Sequence, residues 1–211
     1  MDTTPFIQNH SMFSCGDHPG KVSMVSFTDV RSCNLKCKSC HNRETVNKTG
    51  EVMNFLDSTS FEKDLSDGIL LGSDLFVVSG GEPSLHYQAL IPVIRSIKGR
   101  IPVRVDTNGQ SPKAVVALLE FVDGFAVDIK IPLKLVYTGE DTQRFQEILG
   151  IEDIENYRDN LIETIALVDG MKFTLFRTVK YPDLLPEDID CINDFVSRLK
   201  SKHYWNDYIA V

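Results

Sequence analysis

Segments of strand length alternate along the chain with amphipathic segments of helix length, and this alternation constrains the fold more than any other feature. Strands are predicted in five segments, 21–29, 74–83, 101–109, 125–133 and 171–179, and a sixth, very short strand in 208–211. Helices are predicted between them, in 57–69, 85–99, 111–124, 142–149, 154–170 and 186–202. Strands and helices that alternate over short connections form βαβ units around a mainly parallel sheet. Six such units predict an incomplete α/β barrel or a doubly wound sheet.

The length and composition are typical of one globular domain. The chain has 211 residues, of which 42% are apolar and 25% are charged, enough to bury a core. We therefore expect a single domain over 1–211, with an N-terminal extension over about residues 1–20. The net charge of -8 disfavours nucleic acid and anionic membranes as partners, because both need a basic surface.

The sequence also lacks the segments that direct a chain to or across a membrane. No apolar run reaches the roughly 18 residues that a membrane span needs. The first 13 residues have neither the basic start nor the apolar stretch of a secretory signal. We therefore expect a cytoplasmic protein without a membrane partner.

Three of the five cysteines, Cys33, Cys37 and Cys40, lie within eight positions. In a reducing compartment, clustered thiols bind a metal or act in catalysis more often than they form disulfides. A structural zinc site needs four ligands, and the chain has no second Cys or His pair at the usual separation. His41 could join only with strain, and His10 and His18 are the other candidates for a fourth ligand. Three thiolates on a cubane iron–sulfur cluster would leave one iron open. Cys15 and Cys191 stand alone and are expected to be small apolar fillers.

Polar residues follow each predicted strand at the end where parallel α/β folds place their chemistry. The cysteine loop follows the first strand, and the later strands end in Gly80, Gly81 and Glu82, in Asp106, Thr107 and Asn108, in Asp128 and Lys130, and in Arg177. Each motif alone has a structural explanation as a turn, a cap or a solvated strand end. Their shared position at one rim favours a functional site.

These residues resemble the motifs of a known family. The C-x-x-x-C-x-x-C pattern of residues 33–40 resembles the cluster loop of the radical S-adenosylmethionine (SAM) enzymes, and "GGEP" at 80–83 resembles the motif after their second strand. The stretch 17–45, together with "DTNG" and "VDIK" downstream, is more narrowly similar to the activating enzymes of glycyl radical enzymes. Among these it most resembles the anaerobic ribonucleoside-triphosphate reductase activating proteins.

The resemblance implies a fold, cofactors and site residues. The fold would be an incomplete (β/α)6 TIM-type barrel, and Cys33, Cys37 and Cys40 would hold three irons of a 4Fe-4S cluster whose fourth iron binds S-adenosyl-L-methionine. The SAM contacts would come from Ser39, His41, Gly80, Gly81, Glu82, Asp106, Thr107, Asn108, Asp128, Lys130 and Arg177. Some activating enzymes also hold a monovalent cation, near the positions of Asp106 to Asn108. Ser39 stands where the family usually has an aromatic residue.

The resemblance also implies an activity and partners. The enzyme would cleave SAM reductively to a 5′-deoxyadenosyl radical, which would take a hydrogen atom from a glycine of a glycyl radical enzyme, most narrowly the anaerobic ribonucleotide reductase. A flavodoxin- or ferredoxin-type protein would donate the electron, and no protein side chain would act as nucleophile or base. Two alternatives remain open: a radical SAM enzyme acting on a small molecule or peptide, and a zinc-stabilised binding module without catalysis.

Overall fold

The computed structural model describes residues 3–8, 12–40, 42 and 54–209. Within them, seven strands form one sheet in the order β2-β3-β5-β6-β7-β8-β9. The strands are β2 (Met12–Ser14), β3 (Ser23–Phe27), β5 (Leu75–Ser79), β6 (Val103–Thr107), β7 (Gly124–Asp128), β8 (Leu175–Val179) and β9 (Lys202–Asn206). From β3 to β9 the neighbouring strands are parallel, and β2 joins β3 antiparallel.

The sheet curls into an incomplete TIM-type barrel, as the sequence predicts. Its six parallel strands follow one another in chain order, so the order never reverses as it would in a doubly wound sheet. The strands β5, β6 and β7 are almost wholly buried, and β5 and β7 accordingly consist mainly of leucine, valine, phenylalanine and alanine. The five longer strands predicted from the sequence correspond to β3, β5, β6, β7 and β8.

Six α-helices accompany the strands in the described part of the chain. They are α1 (Ser58–Leu70), α2 (Tyr87–Ile97), α3 (Pro112–Leu118), α4 (Gly139–Leu149), α5 (Ile154–Val168) and α6 (Pro186–Val196). A 3-10 turn, Pro83–His86, precedes α2. Thr138 and Asp141 form a capping box at the start of α4, and Gly150 ends it in the left-handed conformation. None of the helices in the described ranges is long and apolar enough to cross a membrane.

The N-terminal segment contains strands that the sequence analysis does not predict. β1 (Thr3–Ile7) pairs antiparallel with β4 (Phe55–Asp57) in a separate two-stranded sheet. Phe6 on β1 stacks on Phe61 of α1 and meets Phe76 of β5 edge to face. This aromatic cluster fixes β1, and with it the two-stranded sheet, against α1 and β5.

The prediction of a sixth strand in 208–211 is wrong. The sixth parallel strand is β9, Lys202–Asn206. The helix predicted over 186–202 ends at Val196, and Lys202 begins this strand instead. The carboxylate of Asp169 accepts hydrogen bonds from the backbone N–H groups of Lys200 and Ser201 (2.8–3.0 Å), which directs the chain into β9 beside β8. Ile209 lies beyond the strand, and residues 210–211 fall outside the described residues.

Candidate functional site

The loops that follow the parallel strands gather at one edge of the barrel, and the cysteine loop lies among them. Asn108, just beyond β6, donates from Nδ2 to the side-chain oxygen of Asn34 (2.7 Å) and lies 3.7 Å from Sγ of Cys33. The predicted motifs "DTNG" and "CNLKCKSC" therefore meet in space. The C-terminal ends of parallel strands share one edge, so this meeting follows from the topology.

The three clustered cysteines are half-buried, and Cys33 and Cys37 pack against the main hydrophobic core. Burial raises the pKa of both thiols, and negative charge on the other two cysteines raises the pKa of Cys33 further. For Cys37 the nearby Lys130 ammonium acts in the opposite direction. The three sulfur atoms thus lie within electrostatic range of one another, with a lysine close by.

This donor set fits an iron–sulfur cluster better than a closed zinc site. Across the described residues, no three or more His, Cys, Asp or Glu side chains already converge as a preformed metal site. Soft thiolates are the ligands that iron–sulfur clusters use, and three of them on one loop satisfy three of four irons. Since the buried thiols are protonated without metal, binding would release protons.

The cysteine loop is held by the C-terminal end of α4. The backbone N–H groups of Lys36 and Lys38 donate to the carbonyls of Leu149 and Ile148, both at 3.0 Å. These carbonyls are among those that a helix end leaves without an intrahelical partner. Gly150 has φ +65°, and a Cβ added there would lie 2.2 Å from the carbonyl oxygen of Lys36. The chain therefore needs glycine at 150 so that the loop can approach the helix.

Gly80 and Gly81 let the loop after β5 pack against the entry of the cysteine loop. A Cβ on Gly81 would lie 2.3 Å from the carbonyl oxygen of Ser32, and one on Gly80 would lie 2.7 Å from backbone atoms of Thr28. The N–H of Glu82 donates to the same Ser32 carbonyl (2.7 Å). Asn42 donates from its side-chain amide to the carbonyl of Gly80. The two glycines thus join β5 to the cysteine loop by backbone contact.

The carboxylate of Glu82 points into the protein rather than to the rim. Glu82 is 1% exposed and accepts hydrogen bonds from the hydroxyl of Thr107 (2.6 Å) and the N–H groups of Asn108 (2.7 Å) and Ser84 (3.1 Å). Burial raises the pKa of this carboxyl group, and the three hydrogen bonds oppose that effect. Glu82 therefore links the loop after β5 to the end of β6, and its predicted contact with SAM stays a prediction.

A chain of alternating charges crosses the strands β6, β7 and β8. Its members are, in order, Arg104, Asp106, Arg177, Asp128 and Lys130, with successive N–O distances of 3.0, 3.1, 3.0 and 2.9 Å. Burial by itself would raise the pKa of Asp128, but Lys130 and Arg177 outweigh it and hold that pKa at about 2. This charge chain contains three cations and two carboxylates and therefore carries one net positive charge. Lys130 is the end of the charge chain nearest Cys37.

Arg104 is the member that the sequence analysis missed. It is fully buried, donates to Oδ1 of Asp106 (3.0 Å) and to the backbone carbonyl of Asp17 (2.6 Å), and lies 3.5 Å from Nδ1 of His18. His18 in turn meets the ring of Phe173 edge to face. The segment around Asp17 and His18 therefore binds the other end of the charge chain. The available signal was the alternation in β6, which places Arg104 and Asp106 on the same face.

The segment after β9 returns to the cysteine loop. The hydroxyl of Ser39 donates to the backbone carbonyl of Ile209 (3.0 Å), and Lys38 forms an ion pair with Asp183 (2.9 Å). The rings of Tyr181 and Tyr208 pack at 5.9 Å. The side chain of Ser39 is thus engaged with the C-terminal segment, and His41, the other residue predicted to contact SAM from this loop, lies outside the described residues.

Comparison with known proteins agrees with this geometry. The family model described as the Radical SAM superfamily matches residues 28–195. A protein of Methanocaldococcus jannaschii with the provisional name glycyl-radical enzyme activating enzyme is 29% identical over 177 residues, which cover 82% of this chain and 67% of that protein. A Haemophilus influenzae protein with the same provisional name is 25% identical over 127 residues, covering 59% of this chain and 48% of that protein.

Solved structures show the same fold. Streptococcus suis SuiB, in its complex with S-adenosylmethionine, superposes with a TM-score of 0.60 at 18% identity, over 85% of this chain and 39% of SuiB. The present chain therefore spans 67% and 48% of the two curated relatives and a smaller part of SuiB.

Proposed function

Because the chain belongs to the radical SAM superfamily, we propose that it activates a glycyl radical enzyme by taking a hydrogen atom from a glycine of that partner. The observation that carries the proposal is a loop of three half-buried cysteines at the rim where the charge chain ends, with the Lys130 ammonium near enough to Cys37 to act on the pKa of its thiol. The provisional names of the two curated relatives support this choice among radical SAM reactions.

In this proposal Cys33, Cys37 and Cys40 hold three irons of the 4Fe-4S cluster that the family implies, and SAM binds beside them. When bound, the reduced cluster and SAM supply the cleavage of a carbon–sulfur bond and the abstraction of a hydrogen atom. The protein's task is to hold both cofactors, orient them and exclude water. The buried β5, β6 and β7 behind the rim provide that dry support.

In this proposal Lys130 binds the carboxylate of the methionine part of SAM. An ammonium group has three donors, and within the described residues Lys130 uses one of them, on Oδ2 of Asp128 (2.9 Å). Asp128 raises the pKa of Lys130 well above its ordinary value, so the lysine stays charged throughout the physiological range. Arg177 holds the other oxygen of Asp128 (3.0 Å) and thereby fixes the direction of the lysine's partner.

We further propose which proteins this enzyme acts on and receives its electron from. The flanking segments "DHPGK" and "CHNRET" favour an anaerobic ribonucleoside-triphosphate reductase as the partner, with a flavodoxin- or ferredoxin-type electron donor. The net charge of -8 suits a basic docking face on the partner. We leave the monovalent cation out of the proposal, because the carboxylate of Asp106 is already paired with Arg104 and Arg177.

The proposal is tested by anaerobic reconstitution with iron and sulfide, followed by reduction and addition of SAM. The expected products are 5′-deoxyadenosine and, on the candidate reductase, the EPR doublet of a glycyl radical. Cleavage of SAM without a radical on any such partner would favour a small-molecule or peptide substrate. A protein that binds zinc alone and forms no 5′-deoxyadenosine would refute the enzyme assignment.

A matched pair of variants tests the cluster ligands. Cys37→Ala should abolish cluster loading, whereas Cys191→Ala, which removes a half-buried thiol from α6 outside the site, should load normally. Iron and sulfide content and the visible absorbance measure loading. A full cluster spectrum in Cys37→Ala would contradict the ligand assignment.

A further inference from the structure

Two large apolar side chains, Leu135 and Val136, project into solvent from the loop between β7 and α4. Leu135 is 93% exposed and Val136 is 78% exposed. Single exposed apolar residues are ordinary on protein surfaces, but two adjacent ones that are almost fully exposed form an apolar patch that a partner can remove from water. The pair therefore marks a candidate contact surface.

The loop that carries this pair is held by three helices. The guanidinium of Arg158, on α5, donates to the backbone carbonyls of Lys134 (3.2 Å) and Leu135 (2.9 Å). The ammonium of Lys134 pairs with Asp141 of α4 (3.1 Å) and with the buried Asp188 of α6 (2.7 Å). The backbone under the apolar pair is therefore already ordered, so a partner that binds the pair loses little affinity to ordering of the loop.

An open cavity of about 370 Å³ adjoins the apolar pair, since Tyr137, the residue after Val136, forms part of its wall. Apolar and acidic side chains line this cavity together: Tyr137, Thr142, Glu152, Asp153, Ile154 and Glu155. We call these six residues, with Leu135 and Val136, the rim surface. The rim surface thus combines exposed apolar area with a concave region that carries three carboxylates.

The carboxylates of the rim surface have few cations near them. Neither Glu152 nor Glu155 forms an ion pair with another residue in the part of the chain that the structure describes. Arg158 lies within electrostatic range of Glu155, but its guanidinium is bound to Asp159 (2.8 Å) and to the loop. Carboxylates without a paired cation attract positive charge on a partner. The rim surface therefore suits a segment in which an apolar side chain stands next to Lys or Arg.

The rim surface adjoins the loop that carries the three cysteines. Glu152 follows Gly150 by two residues, so their Cα atoms are at most about 8 Å apart. Gly150 abuts the carbonyl oxygen of Lys36 in the cysteine loop. The side-chain amide of Gln146 donates to the carbonyl of Glu152 (2.7 Å), which holds the cavity wall against α4. A protein bound to the rim surface would therefore lie beside the candidate cluster site.

We propose that the rim surface is the docking site for the glycyl radical enzyme, which contributes a segment that carries an apolar side chain beside Lys or Arg. This inference rests on the proposed function, because that function requires a protein substrate at this edge of the barrel. Leu135 and Val136 supply the apolar centre of the contact. Glu152 and Glu155 attract the basic group and fix the orientation of the bound segment.

The test measures the Kd of the reconstituted holoprotein for the full-length candidate reductase. The double variant Leu135→Ser/Val136→Ser should raise this Kd about tenfold or more, because the partner loses two apolar contacts. Its cluster content should equal that of the wild type, since both side chains are exposed. An unchanged Kd in this variant would overturn the inference.

Leu70→Ser/Leu71→Ser is the matched control. These two adjacent leucines are 85% and 73% exposed at the end of α1, where the chain turns into β5 at the opposite edge of the barrel. The control should bind the reductase with the Kd of the wild type. An equal loss of affinity in both double variants would show a non-specific apolar effect and would overturn the assignment of the rim surface.

A second pair of variants tests the carboxylates. Glu152→Gln/Glu155→Gln should raise the Kd about three- to tenfold at low ionic strength and should make the Kd less sensitive to added salt. Glu120→Gln/Glu163→Gln removes the same two charges at exposed positions outside the rim surface and should change neither quantity. Equal effects of the two double variants would show that overall charge attracts the partner and would overturn the role of Glu152 and Glu155.

Sedimentation of the holoprotein alone distinguishes the reductase from a second copy of this chain as the occupant. The wild type and Leu135→Ser/Val136→Ser should have the same oligomeric state. A wild-type dimer that dissociates in this variant would assign the rim surface to a second copy and would overturn the inference.

Failure of this inference and failure of the proposed function have different signatures. A glycyl radical on the reductase, with an unchanged Kd in Leu135→Ser/Val136→Ser, refutes the docking site alone. Binding that depends on the rim surface, with SAM cleavage but no glycyl radical, supports the docking site and refutes the activating function. Wild-type holoprotein that binds no candidate reductase and forms no radical on one refutes both.

Discussion

Replacement of Gly150 by alanine should displace the cysteine loop from the end of α4. The new Cβ would lie 2.2 Å from the carbonyl oxygen of Lys36, whereas ordinary van der Waals contact begins near 3.4 Å. The loop must therefore withdraw by about 1 Å, which would stretch the 3.0 Å hydrogen bond from Lys36 N to Leu149 O beyond the usual range.

Two unfavourable free-energy terms destabilise the Gly150→Ala variant. The left-handed conformation of residue 150, with φ +65°, costs an L-residue about 1–2 kcal/mol. Loss of the hydrogen bond between loop and helix adds about 1 kcal/mol. The free energy of unfolding of the apoprotein should therefore fall by about 2–3 kcal/mol, which urea denaturation resolves.

Gly99→Ala provides the matched control for backbone strain. Gly99 also has positive φ, +86°, but a Cβ there meets nothing within 4 Å, so only the strain is introduced. Its unfolding free energy should fall by about 1–2 kcal/mol, and its cluster loading should equal that of the wild type. Gly150→Ala should in addition load less iron and sulfide. Equal loading and equal stability in the two variants would refute the argument that Gly150 holds the cysteine loop.

Three further predictions concern charges and buried polar groups. Lys130→Gln should weaken SAM binding about 10- to 100-fold at unchanged cluster content, because a charge-assisted hydrogen bond is worth about 1.5–3 kcal/mol. An unchanged Kd for SAM from calorimetry would contradict the proposed contact between Lys130 and the SAM carboxylate. Glu82→Gln should lower the free energy of unfolding of the apoprotein by about 1–3 kcal/mol, since Thr107 and Asn108 lose a buried charged acceptor. A free energy of unfolding equal to that of the wild type would favour a role of Glu82 confined to SAM binding. Burial and the nearby positive charges lower the pKa of His18 below 6.5, so the folded state binds fewer protons than the unfolded state. The free energy of unfolding should therefore fall as the pH drops below about 6.5. A pH series of melting temperatures should show a flatter acid slope for His18→Gln than for the wild type.

The candidate site was largely predictable because its residues lie at regular positions in the chain. Cys33, Cys37 and Cys40 lie within eight positions of one loop, so a compact loop is enough to bring them together. Asp106 and Asp128 lie near the C-terminal ends of the buried strands β6 and β7, Lys130 follows β7, and parallel strands end at one edge. Their approach to a common rim therefore follows from local patterns and one rule of topology.

The contacts that define the site's chemistry depend on distant parts of the chain. In the sequence Arg104 is a cation within a buried strand and has no evident partner. In the folded sheet it pairs with Asp106, whose other oxygen accepts a hydrogen bond from Arg177 of β8. The sequence predicts Glu82 as a rim carboxylate, whereas its side chain points inward and accepts hydrogen bonds from Thr107 and Asn108. Partners of this kind are set by sheet register, which periodicity does not reveal.

The sequence by itself determined the alternation of strands and helices, the cysteine loop and the edge at which the polar motifs meet. Those features depend on local propensity and on hydrophobic period, both of which are present in short segments. Only the tertiary structure decided that β9 occupies 202–206, that Gly150 abuts Lys36, and that Glu82 lies beside Thr107 and Asn108. Each of these is a contact between residues far apart in the chain, and such contacts exist only once the core has packed.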